Sequence, residues 1–261
     1  MVRTLLIRGM LVGLLAGLLV FAFSKVFGEP QVDRAIAFET VRKAAAHTPI
    51  GTPAEPELVT RQVQASFGLL TGVTVYCTAF GGLFALVFAY ANGRTGNLSP
   101  RALSALLGAA GFVAIYLAPS LKYPANPPAI GEPETIGYRT ALYFAMILIS
   151  IAAMVLAIIA RQRLVSRFGH WSATLIAMAA YIACIVAAQL LLPAIDEVPD
   201  GFPAPVLWNF RVASLGMQFV MWATIGLLFG ALTERATAAR RPLLVKAHAP
   251  AYDSKATYRL E

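Results

Sequence analysis

Charge is what this sequence has least of. Only 13% of its 261 residues are Asp, Glu, Lys or Arg, about half the share found in an ordinary soluble domain, and the mean hydropathy is +0.69. A chain of this length with so little charge is not a soluble globular protein, and it reads as an integral membrane protein. Cysteine is nearly absent as well. Cys77 and Cys184 each fall near the middle of an apolar run, so no disulfide framework is indicated. No Asp, Glu, Arg or His occupies the middle of any apolar run, which removes the obvious mid-membrane proton carrier of a pump. The phosphate-binding pattern GxxxxGK[ST] is missing, so direct coupling to ATP would need another subunit. There is also no nucleophile–base pair, no HExxH zinc motif and no facing pair of histidines for haem, and an enzyme is the reading with least support.

What is present is a series of long apolar runs. Residues 5–26, 66–91, 141–160, 172–192 and 212–233 each reach or approach the roughly 20 residues that cross a bilayer as an α-helix, and 102–119 is a shorter sixth. The first run is too long for a signal-peptide core and is kept as a helix. Continuous runs exclude a transmembrane β-barrel, whose strands alternate apolar and polar residues. The expected fold is therefore an all-α integral membrane protein: a six-helix transmembrane bundle with proline-rich external loops. It would form one domain over residues 1–233, followed by a basic cytoplasmic tail, 234–261, able to touch anionic lipid.

Six spans put both termini on one side. Thirteen of the 21 Lys and Arg residues fall on that side, with Arg161, Arg163 and Arg167 crowding one short connection, as the positive-inside rule expects of the cytoplasm. Ten of the 13 acidic residues fall in the opposite loops. The expected location is a bacterial inner membrane with cytoplasmic termini and an acid-bearing outer face that attracts cations.

The outer loops hold most of the polar information. The first begins GEPQVDRAIAFE and reads as an interfacial amphipathic helix starting after Pro30; it then passes through His47 into a stretch broken by prolines. The second, LKYPANPPAIGEPETIGYRT, is held extended by its prolines. The third, PAIDEVPDGFPAPVLWNFR, repeats that style. Together they suggest an assembled acidic cap, with Glu29, Asp33, Glu132, Glu134, Glu197 and His47 as candidates for cation capture. Lys122, Tyr123, Asn126, Arg139, Trp208 and Arg211 are candidates for organising the loops. Ion pairs that merely hold the loops together are the plainer alternative for any single carboxylate.

Within the spans, Gly9, Gly13 and Gly17 recur at every fourth position, a face that admits another helix closely. Gly68 with Gly72, and Gly226 with Gly230, repeat the spacing. Thr71, Thr74 and Thr78 form a polar stripe that either lines an ion path or bonds back to its own helix. Cys77, Cys184, Gln189, Gln218 and several methionines also lie at depth, where packing is the simpler role for the sulfur-bearing side chains.

Four blocks then carry a resemblance: GEPQVDRAIAFE, GGLFALVFAYANGRTG, LKYPANPPAIGEPETIGYRT and EVPDGFPAPVLWNFRVASLG. In this order they resemble the CbtA family, proposed cobalt transporter subunits. The resemblance implies the larger membrane component of a Co²⁺ uptake system, with no bound cofactor, Co²⁺ as cargo, and a small single-span partner, CbtB. Matching positions include Gly28, Glu29, Pro30, Asp33, Glu39, Lys122, Tyr123, Asn126, Pro127, Pro128, Glu134, Arg139, Glu197, Trp208 and Arg211. Many members carry several histidines in the first outer loop, whereas this chain has His47 alone there. Imidazole suits Co²⁺ better than carboxylate does. The competing reading is a non-transporting accessory subunit packed against a larger membrane complex. Lipid is a partner in either case, and nothing points to nucleic acid.

Overall fold

A computed structural model describes residues 2–45 and 59–247, with side chains through residue 239. Every regular element among the described residues is helical. Five are long and apolar enough to cross a membrane: α1 (Val2–Ala45), α2 (Arg61–Ala91), α3 (Pro100–Lys122), α4 (Pro133–Leu191) and α5 (Ala204–Ala247).

The expectation was six, and the difference lies in α4. The runs 141–160 and 172–192 sit in one element because their connection, RQRLVSRFGHW, holds good helix formers, no proline and one glycine. Gly169 interrupts the element with φ 74° and ψ 170°. Two arms, 136–168 and 170–191, fold back on each other there. Ser150 Oγ and Tyr181 Oη lie 2.9 Å apart, whereas 31 positions of straight helix would separate them by about 46 Å. Arg161 Nε donates to Thr174 Oγ1 at 2.8 Å closer to the bend.

A second correction concerns Gly28-Glu29-Pro30. The amphipathic segment does not start afresh after Pro30, because α1 runs unbroken through it. Proline lacks an N–H, and its ring clashes with the carbonyl four residues back. Residues Ser24–Gly28 widen into a π turn that absorbs the defect, with the Glu29 N–H donating to the Ser24 carbonyl five residues back. In α3 the same solution precedes Pro119: residues Phe112–Leu117 form a π turn and the Ala118 N–H reaches the Val113 carbonyl. A third π turn, Gln64–Gly68, opens α2 with no proline nearby.

Helix α5 also begins earlier than expected, so that Trp208 and Arg211 are helical residues rather than loop residues, and it continues past position 233. Ser99 caps α3, its Oγ accepting from the Ala102 N–H at 3.2 Å, with Pro100 in the first turn where its missing N–H costs nothing.

Packing follows small residues. A Cβ at Gly9 or Gly13 would run into the backbone of Gly81 or Cys77 on α2, and one at Gly17 would stand 2.6 Å from Thr74 Cα. Across α3 and α5, a Cβ on Gly108 would stand 2.9 Å from Gly226 Cα. Ser104 Oγ donates to the Gly226 carbonyl at 2.6 Å in the same contact. Gly68 and Gly72 behave differently: a Cβ at Gly72 would meet nothing within 4 Å, and one at Gly68 only a carbonyl of its own helix at 3.5 Å. The core of the bundle joins Val12, Ala16 and Val20 of α1 to Phe84 and Phe88 of α2, Leu103 of α3, and Met221, Ile225 and Phe229 of α5. The α4 hairpin has its own core, Met146, Ala153 and Ala157 against Ala177, Tyr181 and Ile185, and meets the rest through Ala118 and Tyr123 at the end of α3.

Candidate functional site

The last turns of α1, the segment after α3 and the segment before α5 meet at one end of the bundle. Residues 123–132 carry no helix, as their prolines dictate. An apolar contact that the charge pattern did not reveal joins the three pieces. Ala35, Ile130, Phe202 and Val206 are buried together with Phe38, Val198 and Leu207 against them. The Phe38 and Phe202 rings meet edge to face, 5.0 Å between centroids.

Polar bonds finish the assembly. Tyr123 Oη donates to the Pro193 carbonyl at 2.9 Å, tying the segment after α3 to the segment after α4. Glu197 Oε2 accepts from the Glu132 N–H at 2.9 Å and lies 3.3 Å from Arg139 Nε. That Arg139 Nε is close enough for charge attraction but is not aligned for a hydrogen bond, while Arg139 Nη2 donates to the Glu132 carbonyl at 3.3 Å. The Thr135 hydroxyl, the Glu132 N–H and the Arg139 charge hold the Glu197 carboxyl below its ordinary range. Arg211 Nη2 donates to Asn126 Oδ1 at 2.8 Å, while Arg211 Nε is sealed from solvent without a partner.

The acidic candidates divide into two groups. Glu29 and Asp33 on α1 both pair with Arg61 at the start of α2, Asp33 at 3.0 Å. Glu132 and Glu197 belong with Arg139, but the Glu132 and Glu134 side chains are exposed, and Glu132 contributes through its backbone. Among the described residues the Lys122 and Trp208 side chains have no hydrogen bond or ion pair, and Trp208 is 69% exposed on α5. His47 lies outside the described residues. Among the described residues, no three His, Cys, Asp or Glu side chains converge as metal ligands.

Beneath the assembled end is a cavity of about 370 Å³, lined by Tyr123, Asn126, Arg139, Tyr143, Asp196 and Arg211 among others. A line of polar side chains leads inward from it. Arg211, Ser214 and Gln218 recur at three and then four positions, one face of α5. Tyr116 Oη and Ser214 Oγ lie 2.8 Å apart, Tyr76 of α2 interacts with the Gln218 side chain, and Tyr143 of α4 lines the cavity from which the line starts. The face continues to Trp222, whose Nε1 is buried without a partner. From Arg211 to Trp222 the helix rises about 16 Å, roughly half the hydrocarbon thickness. Tyrosines scattered over α2, α3 and α4 gave no periodic signal in the sequence; the three-and-four spacing on α5 was the available one. By contrast, Thr74 and Thr78 spend their hydroxyls on the Leu70 and Thr74 carbonyls of their own helix, each at 2.6 Å.

No curated protein and no solved structure matches this chain. A family model described as a probable cobalt transporter subunit, CbtA, matches residues 2–234. That range includes the bundle, the loop assembly and the polar line beneath it, and the chain belongs to the CbtA family.

Proposed function

We propose that this chain is the membrane subunit of a Co²⁺ uptake system, crossing a bacterial inner membrane six times, with each arm of α4 making one crossing and both termini cytoplasmic. The observation that carries the reading is the polar line from the loop-end cavity to Trp222. In hydrocarbon, side-chain hydroxyl and amide groups are costly to leave unpaired, and a row of them connecting a cavity to mid-membrane supports a route for a hydrated or coordinated solute. The family's description as a transporter subunit supports the same reading. Both arms of α4 are long enough to cross, and the excess of Lys and Arg in the connection around 161–167 favours the cytoplasm for that bend. In this reading a partner subunit supplies ligands for metal capture, because Glu29, Asp33 and Glu197 are engaged by arginines and no three candidate ligands converge among the described residues.

Uptake of Co²⁺ at nanomolar to micromolar concentration tests the proposal. Cells with the intact chain should accumulate the ion faster than cells without it, and the pair Tyr116→Phe with Ser214→Ala should lower the rate without lowering the amount of protein in the membrane. Equal uptake with and without the chain refutes it.

The accessory-subunit reading is favoured by the open face at Gly72 on α2, a close-approach surface with no neighbour among the described residues. Mild-detergent copurification separates the two: a stable large complex without any metal-dependent phenotype supports the accessory role.

A further inference from the structure

We infer that the loop-end cavity is a binding site for a small carboxylate anchored on Arg211, arriving either free or as the chelator of a metal ion. The two guanidinium groups that line the cavity differ in their commitments. Arg139 is matched by Glu197 at 3.3 Å. Arg211 forms no ion pair among the described residues; it donates through Nη2 to the neutral amide of Asn126, its Nε is sealed from solvent, and its Nη1 has no acceptor among the described residues and is the donor left for a ligand. Asp196 acts on it electrostatically without closing to ion-pair distance. A half-buried guanidinium with donors to spare is suited to a carboxylate, which takes two parallel N–H bonds from it.

The surroundings fit that ligand. The hydroxyls of Thr140 and Tyr143 line the same cavity and have no hydrogen-bond partner among the described residues, so they remain to bond further oxygens of a polycarboxylate. A volume of about 370 Å³ is in the range of small-molecule sites. A bare divalent cation fits poorly, since among the described residues Asp196 is the one lining carboxylate outside an ion pair and would be its only anionic ligand, with Arg211 facing it, while Glu197 is already held by Arg139 and the Glu132 N–H. The inference goes beyond the uptake reading and does not need it, because the binding is measured on purified protein without transport.

The test is calorimetric titration of the full chain in lipid nanodiscs with citrate, with citrate plus equimolar Co²⁺, and with Co²⁺ alone. Citrate should bind, and Arg211→Gln should weaken it by at least about tenfold, the loss expected for hydrogen bonds to a charged group. Arg211→Lys should fall between, since a point charge replaces a fork. If Arg211→Gln does not fold, the pair Thr140→Ala with Tyr143→Phe leaves every charge in place and should still weaken binding severalfold. Tighter binding of the Co²⁺ complex identifies a metal chelate as the ligand, and equal or weaker binding identifies the free carboxylate; either supports the site. No heat from citrate, unchanged binding in Arg211→Gln, or heat from Co²⁺ alone overturns it. Failure here with intact Co²⁺ uptake in cells would reject the site and leave the uptake reading standing.

Discussion

Replacing Gly13 by alanine should loosen the bundle more than any other single methyl group placed on α1's inner face away from its glycines. The added carbon would collide with the Cys77 carbonyl oxygen and stand 2.9 Å from Thr78 Cα. Both are backbone atoms, so no side chain can rotate away, and α2 must move outward by about half an ångström or more to restore carbon–carbon contact near 3.5 Å. Such a gap forfeits about a quarter to a half of the attraction between the atoms it separates. Overpacking of this kind costs about 1–3 kcal/mol, against which alanine returns up to about 1 kcal/mol of helix propensity. The net expectation is a loss of about 1–2 kcal/mol. Gly72→Ala is the control, because its new carbon meets nothing within 4 Å and should leave stability unchanged or raise it by up to about 1 kcal/mol. Thermal or SDS unfolding of both variants in the same detergent reads the difference. Gly13→Ala as stable as the parent, or Gly72→Ala as damaging as Gly13→Ala, would refute the account of how α1 and α2 pack.

Three more outcomes are expected. Because the Glu197 carboxyl is held below its ordinary range when folded, its contribution is complete above the unfolded value of about 4.5 and declines as pH falls through the lower folded value; Glu197→Gln should flatten that acid limb in a melting series, and an unchanged limb counts against the Glu132–Glu197–Arg139 link. Phe202→Ala should cost about 3 kcal/mol locally, seen as faster amide exchange in residues 123–132 and the last turns of α1 with no change at the Gly13 contact; uniform acceleration would mean the loop end is not a separate unit. Gly169→Ala forces a side chain to φ 74° and ψ 170°, a backbone region open essentially to glycine alone, and should destabilise by about 1–3 kcal/mol; Gly169→Asn should cost as much, because asparagine tolerates the left-handed helical region at a much smaller ψ and not this one, and melting of both variants like the parent would show that the bend does not need glycine's freedom.

Much of the architecture was legible because hydropathy is a property of the chain alone. The apolar runs, the proline-held segment 123–132 and the close approach at Gly9, Gly13 and Gly17 all depend on local composition or helical spacing, and they correspond to helices, a non-helical segment and a backbone contact in the structure. The same spacing at Gly68 and Gly72 meets no second helix among the described residues, since a glycine face says that a helix can approach and not that one does. The run-on of α1 through Pro30 was illegible because a π turn leaves no residue signature: Ser24–Gly28, Phe112–Leu117 and Gln64–Gly68 share no common sequence.

The loop end shows the same division. Its charged residues were visible in the sequence as one acidic set, but ionic partners come from distant positions, and only the folded chain assigns Glu29 and Asp33 to Arg61 and Glu197 to Arg139. The buried weld of Ala35, Ile130 and Phe202 joins residues separated by up to 167 positions, and no periodicity extends that far. The sequence by itself determined that this is a helical membrane protein with a proline-stiffened end, because transfer of apolar side chains from water to lipid and the missing proline N–H act residue by residue. Tertiary structure alone decided that Arg211, Tyr143, Tyr116, Ser214, Gln218 and Tyr76 form one cavity and one line, because side chains from four helices come together only after those helices have packed.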